Sequence, residues 1–194
     1  AIGAMPPSFF KPATVEALVE TMKVIADAAP ELPFYYYHVP SMTGVDISMY
    51  DFCVAAEDKI PNLVGVKYTG LEISYPPGSF PDALKLMAYK DGKYEVLTGR
   101  DEEMVECLAM GVKGFVGSQY NFAGELYNSI IKEYNSMNMK QSNELQLQSI
   151  ELLDIEFNIT KARNGAKLMM NIATGINVGN PRLPFLKYTN KDIS

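Results

Sequence analysis

The chain has 194 residues, with 17 basic and 23 acidic side chains, a formal charge of -6, 47% apolar residues and one histidine. That acidity argues against a nucleic-acid binder, and no run nears the roughly 20 apolar residues of a membrane helix. His38 alone leaves little scope for a histidine-rich metal site or a Ser-His-Asp triad. Cys53 and Cys107 cannot build a disulfide framework, so a cytoplasmic location is expected.

The first apolar run, residues 2–5, stops at Pro6-Pro7 and lacks the basic start of a signal peptide; it reads as a strand. Val15, Leu18, Val19, Met22, Ile25 and Ala26 then follow helical spacing, with Thr14 as N-cap and Pro30 as stop. Further strands are expected at 33–37, 63–67, 94–98 and 114–118, and helices at 47–59, 80–89 and 102–110. The strands are unalternating and bounded by Gly or Pro, as parallel strands covered on both faces would be. Beyond residue 121 the pattern is mostly helical: 122–134, 140–160 and 162–174. Successive βα units leave an open doubly wound sheet or a (β/α)8 barrel. Met5-Pro6-Pro7-Ser8-Phe9-Phe10 is not a Gly-rich dinucleotide turn. Tyr37, Lys67, Asp101 and Ser118 fall at or after the C-terminal ends of strands, where barrel enzymes build their sites, which favours the barrel. The whole chain is read as one domain, with βα units over 1–121 and a helical region over 122–194.

Lys67 closes the run Leu63-Val64-Gly65-Val66. A lysine there either reaches solvent or sits in a pocket, where loss of hydration would favour the neutral amine that attacks ketones. Tyr37 ends Tyr35-Tyr36-Tyr37, and with period two it shares a face with Tyr35, opposite Tyr36 and His38. A phenol at a strand end can relay a proton. The alternative is packing, and His38 reads as a supporting residue without catalytic role. Gly99-Arg100-Asp101-Glu102 could simply cap a helix, or its carboxylates could accept hydrogen bonds from substrate hydroxyls. Gly111, Gly114 and Gly117 recur every three residues without matching a P-loop or a dinucleotide fingerprint.

Together, Tyr37-His38-Val39-Pro40-Ser41-Met42-Thr43-Gly44, Gly65-Val66-Lys67-Tyr68-Thr69, Gly99-Arg100-Asp101-Glu102 and residues 114–121 resemble the N-acetylneuraminate lyase family of pyruvate-dependent class I aldolases. Dihydrodipicolinate synthase is a close relative of that family. Lys11-Pro12 and Pro181-Arg182-Leu183-Pro184 are similar to the eukaryotic-type members. The resemblance implies a Schiff base on Lys67 and a proton relay through Tyr37. It also implies substrate contacts at Thr69, Gly99, Asp101, Glu102, Gly117 and Ser118, no external cofactor or metal, and a homotetramer acting on sialic acid or pyruvate. Met42 stands where the synthase branch usually carries an arginine, which favours the lyase. The loop over 70–78 matches no pattern of the family. No Gly-Thr-Thr-Gly-Glu-type segment occurs, so the chain is expected to represent barrel strands four to eight plus C-terminal helices, with weak activity or none by itself. Two alternatives stay open: another pyruvate aldolase, such as a dihydrodipicolinate synthase or a 2-keto-3-deoxy sugar acid aldolase, or a non-catalytic remnant.

Overall fold

The computed structural model describes residues 1–69, 79–160, 165–185 and 187–188. The expected loop at 70–78 and the expected helix start at Ala162 lie outside these residues. The chain divides into two compact units, Ala1–Gly99 with Val112–Gly114, and Arg100–Gly111 with Phe115–Ser194.

In the first unit, helix α1 (Val15–Asp27) starts where the sequence pattern places it. Thr14 is extended and its hydroxyl accepts the Ala17 N–H at 3.2 Å, a cap worth about 1 kcal/mol. Leu18, Val19, Met22 and Ala26 form the buried stripe, and each large apolar side chain among them contributes roughly 1.5–3 kcal/mol on burial. The sheet holds β1 (Ile2–Ala4), β2 (Phe34–His38), β3 (Leu63–Tyr68), β4 (Glu95–Thr98) and β5 (Gly114–Phe115). Its order is β1-β2-β3-β4-β5, with β1 through β4 pairing in parallel. Each strand lies beside its predecessor. A doubly wound sheet would reverse order at a switch point, so this sequential path is the one a (β/α)8 barrel follows.

Three helices follow the early strands: α2 (Pro40–Thr43), α3 (Met49–Ala56) and α4 (Phe80–Ala88). The sequence pattern suggests one helix over 47–59, but α3 starts two residues later because Ser48 caps it, accepting the Asp51 N–H at 3.1 Å. Ser79 caps α4 in the same way, through the Asp82 N–H at 3.4 Å.

Strand β2 alternates in burial, contrary to the expectation that both faces would be covered. Along β2, Phe34, Tyr36 and His38 are buried, while Tyr35 and Tyr37 are only partly so. Tyr36, Val66 and Val96 pair across β2, β3 and β4 and are all buried; Phe52 of α3 meets the Tyr36 ring at 4.5 Å. The adjacent row, Tyr37, Lys67 and Leu97, faces the other way and is half-buried. The apolar run hides this because tyrosine, leucine and a lysine stem suit a half-open face as well as a core.

In the second unit a 3-10 turn, Asp101–Glu103, leads into α5 (Met104–Met110), followed by α6 (Tyr120–Asn135), α7 (Met139–Thr160) and α8 (Ala166–Thr174). Met104, Val105, Tyr127 and Ile130 form its apolar core. Helix α6 begins two residues before the expected start, with a non-helical step at Ala123 (φ -121°). The expected strand over 114–118 ends at Phe115. Residue 117 departs from extended pairing to lie against Asp101, as described below.

Candidate active site

Lys67 and Tyr37 are cross-strand partners in the β2–β3 register. Both are the penultimate residues of their strands, and the pairing turns them to the same half-buried face. The Lys67 Nζ lies 4.2 Å from the Tyr37 ring centroid. The negative face of a phenol ring attracts a cationic nitrogen, by roughly 0.5–1 kcal/mol at exposed sites and more when desolvated. Among the described residues no carboxylate pairs with Lys67.

The other two tyrosines of the triplet are committed elsewhere. Tyr35 donates to Glu95 Oε2 at 2.5 Å, and that bond pushes its phenol up to about 12. Tyr36 is fully buried on the opposite face, and burial raises its pKa as well. His38 shares that face; burial pulls it down to about 4, although Asp82 acts in the other direction. A neutral imidazole turned away from Lys67 has no access to chemistry there.

Two further predicted residues close around the lysine. Thr69 donates its hydroxyl to the His38 carbonyl at 2.7 Å, tying the end of β3 to the end of β2. The Gly99 N–H donates to the Tyr68 carbonyl at 2.8 Å, which seats Gly99 beside Lys67. A Cβ on Gly99 would overlap Lys67 Cε, and would lie 2.7 Å from Thr69 Cγ2 and 3.1 Å from Lys67 Nζ. Gly99 therefore makes the space that the lysine stem occupies, a role its sequence motif alone does not suggest.

In the second unit, Asp101 is 4% exposed, and its Oδ2 accepts the Gln119 N–H at 2.9 Å. It does not cap the helix after it, as the simplest reading of the motif would have it. A Cβ on Gly117 would overlap Asp101 Oδ1, so only glycine allows this approach. Burial raises the Asp101 pKa, opposed by the Gln119 hydrogen bond. Glu102 is paired with Arg100 at 3.1 Å, and Glu103 with the same guanidinium at 2.9 Å. Ser118 is exposed, and its carbonyl accepts from Asn121 Nδ2 at 2.9 Å. Lys67, Tyr37, Thr69 and Gly99 thus come together in one unit, and Asp101 and Gly117 in the other. Gln119 and Gln146, which donate to Asp101, and Glu156, which accepts from Gln119, were not anticipated from the motifs.

The model of the dihydrodipicolinate synthetase family matches residues 1–193. This chain belongs to that family. It is 34% identical over 186 residues to an N-acetylneuraminate lyase of Danio rerio, covering 95% of this chain and 58% of the relative. It is 34% identical over 192 residues to the Xenopus tropicalis N-acetylneuraminate lyase, covering 99% and 60%. Among solved structures it resembles the Proteus mirabilis N-acetylneuraminate lyase (TM-score 0.89, 32% identity, 98% of this chain and 61% of that one). It also resembles the Aliivibrio salmonicida enzyme, described as a sialic acid aldolase (TM-score 0.88, 35% identity, 98% and 60%). The chain spans about 60% of the length of these relatives. With the sequential parallel sheet, the family gives the fold class: α/β, a partial (β/α)8 barrel. Among the described residues no group of three or more His, Cys, Asp or Glu side chains could hold a metal ion. No helix of the described residues is long and apolar enough to cross a membrane.

Proposed function

We propose that the chain carries the catalytic half-site of a class I aldolase that reversibly cleaves N-acetylneuraminate to N-acetylmannosamine and pyruvate. The observation that carries this reading is the in-register pairing of Lys67 with Tyr37, the lysine amine 4.2 Å from the phenol ring centroid. The amine attacks the 2-oxo carbon of the substrate, and loss of water gives a protonated imine. When the C3–C4 bond breaks, its electron pair moves through C3 to the iminium nitrogen, leaving an enamine. The C4 hydroxyl proton passes to Tyr37, which hands its own phenol proton on to the substrate carboxylate, as the aldehyde of N-acetylmannosamine forms. Protonation at C3 and hydrolysis then release pyruvate and the free amine. A ring face beside the nitrogen favours the cationic imine over its neutral precursors. The electron sink is the imine itself, so this route uses no metal or other cofactor.

Thr69, Gly99, Asp101, Glu102, Gly117 and Ser118 complete the reading as contacts to the sugar-derived part of the substrate. An acidic pair at Asp101-Glu102 suits a chain of hydroxyls, since ionised carboxylates only accept hydrogen bonds. Met42, 62% exposed on α2, offers no cation to a second substrate carboxylate. The same proposal describes a cytoplasmic homotetramer acting on small molecules, without nucleic-acid or membrane partners.

Pyruvate release from N-acetylneuraminate and from 2-keto-3-deoxygluconate, measured side by side, tests the assignment. The expected result is faster release from N-acetylneuraminate. Preference for 2-keto-3-deoxygluconate would move the chain to a sugar-acid aldolase.

A further inference from the structure

Helix α7 carries a buried polar stripe that no step of the reaction above uses. Ser142, Gln146, Ser149 and Glu156 recur at intervals of four, three and seven residues, which places them on one helical face. All four are buried: Ser142 and Ser149 are 0% exposed, Gln146 is 5% and Glu156 is 4%. Burying polar groups is unfavourable unless their hydrogen bonds are made; here Ser142 donates to the Ile130 carbonyl and Ser149 to that of Gln146, while Gln146 and Glu156 bond toward the turn that bears Asp101.

Two routes lead from α7 to Asp101. Gln146 Nε2 donates to the Asp101 carbonyl at 3.2 Å, while Gln146 Oε1 accepts the Val105 N–H at 3.1 Å. One amide side chain therefore ties the start of the turn that bears Asp101 to the first turn of α5. The second route runs through Gln119, which is 0% exposed. Its backbone N–H donates to Asp101 Oδ2, and its side-chain Nε2 donates to Glu156 Oε2 at 3.3 Å. Its Oε1 accepts the Tyr127 hydroxyl in a short bond. Every polar atom of the Gln119 amide oxygen and nitrogen is thus engaged from α6 or α7. Asp101 Oδ1 lies against Gly117. The Tyr120 hydroxyl lies beside the same carboxylate. Tyr120 itself is set edge-to-face on Tyr127 at 4.6 Å.

We infer that Gln119 and Glu156 are positioning residues that act through Asp101, fixing its carboxylate for substrate hydroxyls through the chain Glu156–Gln119–Asp101. The inference rests on the reading of Asp101 as a sugar-contacting group. A well-packed apolar set of similar volume would hold α6 against α7 at least as firmly as a buried ionic network. What the polar arrangement adds is direction: it sets one oxygen toward the Gln119 N–H and the other beside Gly117. The groups around Asp101 are Glu102 from its own turn, Tyr120 and Tyr127 from α6, and Glu156 from α7. Burial raises Glu156, and Asp101 raises it further, so the two carboxyls sense each other's charge.

The experiment compares the parent chain with Glu156→Gln and Glu156→Leu by two readouts. In the first, the Asp101 carboxyl is titrated by carbon-13 NMR without ligand. Both variants remove the Glu156 charge, so the Asp101 midpoint moves down; a midpoint that stays in place in both would overturn the inference. In the second, N-acetylmannosamine is titrated and followed by ligand-detected NMR. Glu156→Gln still accepts from Gln119 and keeps the parent's affinity. Glu156→Leu leaves Gln119 Nε2 without its acceptor and binds roughly tenfold or more weakly, the scale of one charge-assisted hydrogen bond. Equal loss in both variants, or loss in neither, contradicts positioning by the hydrogen-bond chain. A parent chain that fails to bind N-acetylmannosamine would instead remove the functional reading of Asp101, and the ligand-free titration would still judge the link to Glu156.

Discussion

Tyr37→Phe lowers the weak N-acetylneuraminate cleavage expected of the parent chain by about 10²–10⁴-fold, the span a positioned proton-transfer group contributes. The ring is retained, so the face that Lys67 Nζ approaches at 4.2 Å is unchanged. Imine formation with pyruvate therefore survives, and the loss falls on the step that moves the C4 hydroxyl proton. The same substitution at Tyr35 gives a different outcome, because that hydroxyl is spent on Glu95 and points to no reacting atom. Cleavage assays on the two variants, run with a trapping assay on each, separate relay from packing. Parent-like turnover in Tyr37→Phe would contradict the relay.

Gly99→Ala slows imine formation by about 10²-fold, the cost of displacing a reacting group by roughly an ångström. The added methyl overlaps Lys67 Cε and approaches Thr69 Cγ2 to 2.7 Å. Of these, the lysine stem is the part able to move, so the strain is relieved by shifting the amine rather than by unfolding the sheet. The thermal transition of the variant is accordingly expected close to the parent's, with the defect confined to the rate at which pyruvate is captured. A parent-like capture rate would show that the amine has freedom the packing does not suggest. Loss of the folded state would show that Thr69 cannot yield, since its hydroxyl bond to the His38 carbonyl joins β3 to β2.

Much of this fold was legible in the sequence. Four of the five expected strands lie within a residue or so of their observed bounds, because short apolar runs between Gly and Pro leave few other choices. Thr14 marked the start of α1 because its hydroxyl does what an N-cap requires. The period-two argument also put Tyr37 and His38 on opposite faces, as the burial along β2 shows. What the residues alone did not disclose depended on contacts distant in sequence. The fifth strand is short because Gly117 turns to meet Asp101, a contact across sixteen positions that no local pattern encodes. Gly99 looks like a turn residue in its motif, yet its function in the structure is to leave room for a lysine from the neighbouring strand. Helix α7 was recognised as a helix but not as a holder of Asp101. Its polar residues look solvated, and only the fold shows that Ser142, Gln146, Ser149 and Glu156 face inward. Their four-three-seven spacing was the available signal, since polar residues on one helical face can be a buried network as readily as a wet surface.

Borohydride reduction of the chain incubated with pyruvate, followed by peptide mass analysis, tests the central claim most directly. Hydride adds to the imine carbon and converts it to a stable secondary amine, so the modified peptide records which nitrogen formed the bond. The expected result is one reduced pyruvate on the peptide containing Lys67, absent without pyruvate and absent in Lys67→Met. An unmodified Lys67 under conditions that label a related aldolase, or labelling centred on another lysine, would contradict the account.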